Sequence, residues 1–312
     1  MARPVRSPRR KTPPSSSPTT YVVAGARTPF LRSGTDYVDT LAYELGVFAV
    51  KGLLEKTDLD PASVERLTMG CVLAEPRTTN VAREIVLAAG LPQSVPASTV
   101  TAACISANVA IASIHEAIAA GSLGVAIAGG VETLSDVPIR YQRSVRKRLI
   151  ASQKAKSPVD YMKLLSGLKP QDLLPETPAI AEFSTGQTMG ESAERLAKRL
   201  GISREAQDAF AAASHQQAHA AHEKGRYAEQ IVPVRVAPRF GELTRDNGVR
   251  GDTTPEKLAG LSPAFDKRFG SVTAGNSSFL TDGAAACLLA SGARVKALGL
   301  TPLARIVSTA WV

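Results

Sequence analysis

The feature that most constrains this chain is a regular exchange between two kinds of segment. Short runs of β-branched and apolar residues alternate with longer stretches whose apolar residues recur every three or four positions. Tyr21-Val-Val-Ala-Gly25 reads as a strand ending in a turn, and Leu41, Ala42, Leu45, Phe48 and Ala49 share one helical face over 39–56. Further strands fit 66–73, the residues leading to Cys104, and 124–128, with helices over 81–89 and from Cys104 to about Ala120. This alternation predicts an α/β fold, with a mixed, mostly parallel sheet covered by helices on both faces. At 312 residues the chain is long enough to bury a substantial core.

From about Pro138 the pattern changes. Arg140, Arg143, Arg146, Lys147, Arg148, Lys154 and Lys156 form a basic run, and Pro170, Pro175 and Pro178 come after it. Thr188-Met-Gly-Glu191 has the form of a capping box, with Met189, Ala193, Leu196 and Leu200 on one face behind it. Ser203 is placed to cap the next helix. Val232–Val236 reads as a returning strand. The stretch 139–265 therefore reads as an inserted loop domain, mostly helical and irregular, within a parent α/β domain of 20–138 and 266–292. An apolar strand through Ala290, a short helix near 294–298 and a strand over 302–308 complete the chain, and 293–312 reads as the start of a second half-domain.

Charge narrows the functional classes. The formal net charge is +9, but Arg3, Arg6, Arg9, Arg10 and Lys11 supply five of those charges from a Pro/Ser-rich leader. Prolines at 4, 8, 13, 14 and 18 break the amphipathic helix that a mitochondrial presequence needs. Residues 1–19 thus read as a disordered extension and the protein as cytoplasmic, the mitochondrial matrix being the alternative. Nucleic-acid binding lacks a recognition motif or interleaved aromatics to support it. The basic run at 140–156 suits coenzyme A phosphates, a partner subunit, an acidic lipid surface or plain solvation. Three widely spaced cysteines, Cys71, Cys104 and Cys287, suggest a reducing compartment rather than a disulfide framework.

Cys104 falls at a strand-to-helix junction, Ser98-Thr-Val-Thr-Ala-Ala-Cys-Ile-Ser-Ala-Asn108. A helix N-terminus offers unpaired N–H groups and partial positive charge, which favour the nucleophilic thiolate. A buried structural cysteine is the competing reading of the position alone. Gly129-Gly130 lacks the further glycine and helix start of a phosphate loop. His215, His219 and His222 share a helical face, but no acidic residue or cysteine is placed beside them, so a solvent-facing helix is expected and no metal site.

Four ordered segments together resemble the thiolase family: Cys104-Ile-Ser-Ala-Asn108, Ala128-Gly-Gly-Val-Glu-Thr-Leu-Ser135, Thr188-Met-Gly190 and Val272-Thr-Ala-Gly-Asn-Ser-Ser278. The wording over 104–108, 131–140 and 276–283 is most similar to the β subunit of fatty-acid-oxidation trifunctional complexes, and the family resemblance covers about 20–312. The resemblance implies one layered α/β/α half of the thiolase fold. It implies an acyltransferase that cleaves 3-ketoacyl-CoA with coenzyme A as substrate and no other cofactor. In that reading Cys104 carries the acyl group as a thioester, Ser278 contacts the pantetheine arm of coenzyme A, and Met189 lies near the acyl end. Implied partners are acyl-CoA, a second copy of the chain and a hydratase/dehydrogenase α subunit.

The family also uses a Gly-His-Pro histidine, a Cys-x-Gly cysteine and an Asn/His-Glu-Ala-Phe segment. None of the four histidines (His115, His215, His219, His222) precedes a proline, and neither Cys71 nor Cys287 precedes x-Gly. The chain is therefore expected to be the amino-terminal portion of a thiolase, with its second half-domain largely absent through truncation, frameshift or a split gene. Two rival readings stand beside it: a catalytically silent acyl-CoA-binding or assembly subunit, and a non-functional fragment.

Overall fold

The computed structural model describes residues 18–176 and 181–311; most of the basic leader, and Pro178, lie outside them. In chain order the strands are β1 (Thr20–Arg27), β2 (Leu31–Arg32), β3 (Arg66–Gly70), β4 (Ala97–Val100), β5 (Val125–Glu132), β6 (Arg140–Tyr141), β7 (Pro175–Glu176), β8 (Val234–Arg235), β9 (Glu242–Leu243), β10 (Thr281–Ser291) and β11 (Ala304–Arg305). The helices are α1 (Ala42–Thr57), α2 (Val81–Ala88), α3 (Ser106–Ala119), α4 (Arg143–Ser152), α5 (Pro158–Leu165), α6 (Met189–Leu200), α7 (Arg204–Glu223), α8 (Pro255–Ala259) and α9 (Gly292–Ala297).

The main sheet has the order β11-β1-β10-β5-β3-β4, with β2 pairing onto β10. β3 lies parallel to β4 and β5, while β10 runs antiparallel to both β1 and β5. β1, β3, β4 and β5 therefore point the same way, four of the six strands of a mixed main path in which β10 and β11 run against them. An antiparallel neighbour needs no crossover helix, so β10 can zip directly against β5 after the long excursion between them.

β5 explains the two-sided covering. Val125, Ile127 and Val131 enter the core built with Leu45 and Leu53 of α1 and Ile85 of α2. Alternate residues Ala126 and Ala128 enter the opposite core with Ala110, Ile114 and Ile118 of α3. Ile114 and Ile118 are fully buried, each contributing about 1.5–3 kcal/mol. The small side chains on the α3 face let that helix lie close to the sheet.

Between β5 and β10 the chain forms α4–α8 and two small antiparallel sheets, β6–β7 and β8–β9. Arg146 pairs with Glu176 at 3.1 Å, and Arg148 donates to the Ser166 carbonyl at 2.6 Å, so part of the basic run staples α4 to β7 and to the end of α5. The capping box at Thr188 forms, the Glu191 N–H donating to Thr188 Oγ1 at 3.2 Å. The Ala206 N–H donates to Ser203 Oγ, capping α7.

Three expectations change. Met189, Ala193, Leu196 and Leu200 face solvent, because α6 turns Ala197 and Glu194 inward. The strands expected over 232–236 and 302–308 pair over only Val234–Arg235 and Ala304–Arg305, where a neighbouring strand is present. Cys71 falls just past β3 rather than inside it. Among the described residues no helix is long and apolar enough to cross a membrane.

Candidate active site

The site is built where β3, β5 and β10 meet the first turn of α3. Cys104 sits two residues before α3 begins and is exposed. The turn that presents it is strained, since Ala103 has φ +47°. A non-glycine residue in this left-handed region costs roughly 1–2 kcal/mol. Ser106 holds the turn in place: its hydroxyl accepts from the Ala102 N–H at 2.8 Å and donates to the Ala103 carbonyl at 2.6 Å. Thr101 adds a second tie, donating to the Cys71 carbonyl at 2.5 Å.

Two glycines let the helix start approach the sheet. A Cβ on Gly70 would lie 2.4 Å from the Ser106 carbonyl carbon and 2.5 Å from the Ala107 nitrogen. A Cβ on Gly130 would lie 2.8 Å from the Ala107 Cβ. Gly129 and Gly130 lie inside β5, so their role is close packing and not a turn at a strand end.

Beneath Cys104 opens a cavity of about 600 Å³, lined by Phe30, Val72, Leu73, Ile111, Val131, Leu134, the glycines and alanines of β5 and β10, and all three cysteines. Sequence reading assigned no role here to Glu132, a lone carboxylate in an otherwise apolar strand. It accepts from the Val72 N–H at 2.8 Å and the Leu73 N–H at 3.2 Å, and it faces the Cys71 thiol at 3.7 Å. Burial pushes the Glu132 carboxyl above the ordinary range, against the lowering effect of those N–H groups. Burial, with the Glu132 charge behind it, pushes the Cys71 thiol up to about 12. Burial alone lifts Cys287 to about 11. Both thiols are therefore neutral near pH 7. Among the described residues no histidine lines this cavity.

Ser278 is exposed and lies elsewhere, on a second cavity of about 430 Å³ lined also by Phe30, Phe210, His215, Asp246, Asn276 and Phe279. Its loop is fixed from the side of α6 and α7. Glu194 accepts from the Ser271 and Val272 N–H groups at 2.8 and 2.9 Å, and Asp208 accepts from Asn276 Nδ2 at 2.8 Å. Met189 lines neither cavity. It is the first residue of α6 and 56 % exposed, beside Gly190, whose face is occupied by the Phe265 ring.

Of the three α7 histidines, His219 is exposed as expected, while His215 and His222 are half-buried. The His222 side chain is only 5 % exposed and its Nε2 lies 3.2 Å from Asp246 Oδ2, His215 Nδ1 accepts from the Arg250 N–H, and His219 packs on Gly251. Each is engaged separately. Among the described residues no group of three or more His, Cys, Asp or Glu is placed to hold a metal.

The sequence profile of the thiolase N-terminal domain matches residues 20–293, nearly the whole chain. The chain belongs to the thiolase family. This thiolase chain is 45% identical over 289 residues to a 3-ketoacyl-CoA thiolase of Pectobacterium carotovorum, covering 93% of itself and 66% of that relative. It is 47% identical over 283 residues to the mitochondrial trifunctional enzyme subunit beta of Mus musculus, covering 91% of itself and 59% of that protein. The chain thus spans less than two thirds of the length of these curated relatives. Among solved structures, the Bacillus anthracis acetyl-CoA acetyltransferase matches with a TM-score of 0.79 and 33% identity, over 93% of this chain and 70% of that one. The layered α/β architecture is therefore that of the thiolase fold.

Proposed function

We propose that this chain carries the acyl-transfer site of a 3-ketoacyl-CoA thiolase of fatty-acid β-oxidation, with Cys104 as the nucleophile. One observation carries the reading: an exposed thiol on a clamped turn at a helix start, above an apolar cavity. Cys104 Sγ bonds to the C3 carbonyl carbon of the 3-ketoacyl-CoA, and the C2–C3 bond breaks. That electron pair goes to C2 of the departing acetyl-CoA, which takes up a proton. The thiol of a second coenzyme A then attacks the Cys104 thioester, releasing the shortened acyl-CoA and returning the cysteine. The Cys104 backbone N–H is the donor nearest the developing oxyanion in this scheme. The apolar lining suits an acyl chain, and the Ser278 cavity suits the arm of coenzyme A.

Neither of the other two cysteines of the cavity is a ready proton carrier. Cys71 and Cys287 hold their protons too tightly to exchange them near pH 7, and no histidine is at hand. Lack of a general base slows such a step by roughly 10²–10⁴-fold. That same observation favours one second reading, a silent acyl-CoA-binding subunit. Assembly with another copy or with the other subunit of a trifunctional enzyme belongs to the proposal. So does a reducing compartment, the cytoplasm or the mitochondrial matrix, in keeping with three free thiols.

Calorimetry with an acyl-CoA, run beside a thiolysis assay with added coenzyme A, separates the readings. Binding together with Cys104-dependent thiolysis, however slow, supports the enzyme. Binding without acylation of Cys104 supports the silent subunit.

A further inference from the structure

Phe30 is the residue that the Cys104 and Ser278 cavities have in common. Its main chain is fixed at one point and its ring is flanked on two sides. The backbone N–H donates to Asp246 Oδ1 at 2.7 Å, which fixes the main chain. The Arg27 guanidinium lies 4.8 Å from the ring centroid and is itself held by both Asp246 oxygens, at 2.7 and 3.0 Å. Below the ring lies Gly283, where any Cβ would come within 2.4 Å of Phe30 Cδ1. Even so, Phe30 keeps 38 % of its surface exposed. A bulky apolar side chain locked in place at the border of two cavities is a preformed wall, and ordering it costs a ligand nothing further.

We infer that Phe30 is a specificity-determining residue that limits the bulk of the acyl group at the carbon next to the thioester carbonyl. The inference rests on the acyl-CoA reading above. A molecule using both cavities at once has its coenzyme A arm beside Ser278 and its reacting carbonyl at Cys104. The piece threaded past Phe30 is the thioester and its neighbouring carbon. An unbranched chain passes the ring edge; a methyl branch at that carbon meets it. Arg27 and Asp246 act through Phe30 as positioning residues.

The test is acylation of Cys104 in the full chain by 3-oxobutanoyl-CoA and by 2-methyl-3-oxobutanoyl-CoA, which leave the same acetyl adduct, followed by intact mass, with Cys104→Ala as the blank. The Cys104 Sγ–C3 bond forms, the C2–C3 bond breaks, and C2 of the departing thioester takes up the proton that Cys104 gives up. The parent chain should favour the unbranched thioester. Phe30→Ala should raise the branched-to-unbranched rate ratio roughly tenfold or more, the scale on which one methyl group is discriminated in an apolar pocket. Phe30→Tyr keeps the ring and should keep the parent ratio. Should Phe30→Ala fail to fold by circular dichroism, Phe30→Leu takes its place, with a smaller change in the same direction. A folded Phe30→Ala or Phe30→Leu with the parent ratio overturns this inference alone. No adduct from either thioester in the parent overturns the acyl-CoA reading and this inference with it.

Discussion

Removing the Ser106 hydroxyl tests whether the Cys104 turn is a held, strained structure. Ser106 is 5 % exposed, and its oxygen serves the Ala102 N–H and the Ala103 carbonyl on either side of the strained residue. Ser106→Ala leaves the half-buried Ala102 N–H without its partner, a loss toward the lower end of about 1–3 kcal/mol. It also frees Ala103 to leave its left-handed conformation, returning part of the roughly 1–2 kcal/mol stored there. The net expectation is a loss of about 1–2 kcal/mol in urea unfolding followed by circular dichroism, with a changed rate of native-state Cys104 alkylation. Ala103→Gly is the companion. It relieves the left-handed strain of roughly 1–2 kcal/mol but gains unfolded-state entropy worth about 0.4–1 kcal/mol, so stability should rise by no more than about 1.6 kcal/mol. In the Ser106→Ala background it should hold the turn and restore the alkylation rate. The reasoning fails if Ser106→Ala stays within about 0.5 kcal/mol of the parent, the range of neutral surface changes, and alkylates at the parent rate.

Thiol selectivity and acid sensitivity follow from the same structure. With Cys71 near 12 and Cys287 near 11, a brief iodoacetamide pulse at pH 8 on the folded chain should label the exposed Cys104, and peptide mapping should find the other two nearly untouched. Labelling of all three at similar rates would contradict the burial described. Burial opposes ionisation of Asp246, but hydrogen bonds from Arg27 and the Phe30 N–H outweigh it and hold the carboxyl below its ordinary value. Its folded-state value being the lower, its stabilisation is present above about pH 4 and fades as pH falls through the depressed value. Asp246→Asn should therefore cost stability at pH 7, about 2–3 kcal/mol for an incompletely buried pair, and flatten the acid limb of the stability curve. An unchanged acid limb would contradict it.

Much of the fold was legible because two periods suffice to read it. β1, α1, α2 and α3 follow directly from the spacing of their apolar residues, and the junction before α3 placed Cys104. The direction of β10 was not legible, since a period of two is the same for parallel and antiparallel strands. The inward face of α6 was not legible, because Glu194, a carboxylate, is buried there by loop N–H groups, while Met189 and Leu196 are left outside. His222 and Asp246 are both distant in sequence from Arg27, and the tertiary fold brings the three side chains together. Glu132 did leave a signal, a single charge in an apolar strand, whose meaning needed the N–H groups of residues 72 and 73. Phe30 left none.

Acetyl transfer to Cys104 tests the central claim most directly. The full chain is incubated with acetyl-CoA, its intact mass is read, and the modified peptide is sequenced. The account predicts one acetyl adduct, located on Cys104, absent from Cys104→Ala and removed when free coenzyme A is added. An unmodified chain, or an adduct that persists in Cys104→Ala, would contradict it.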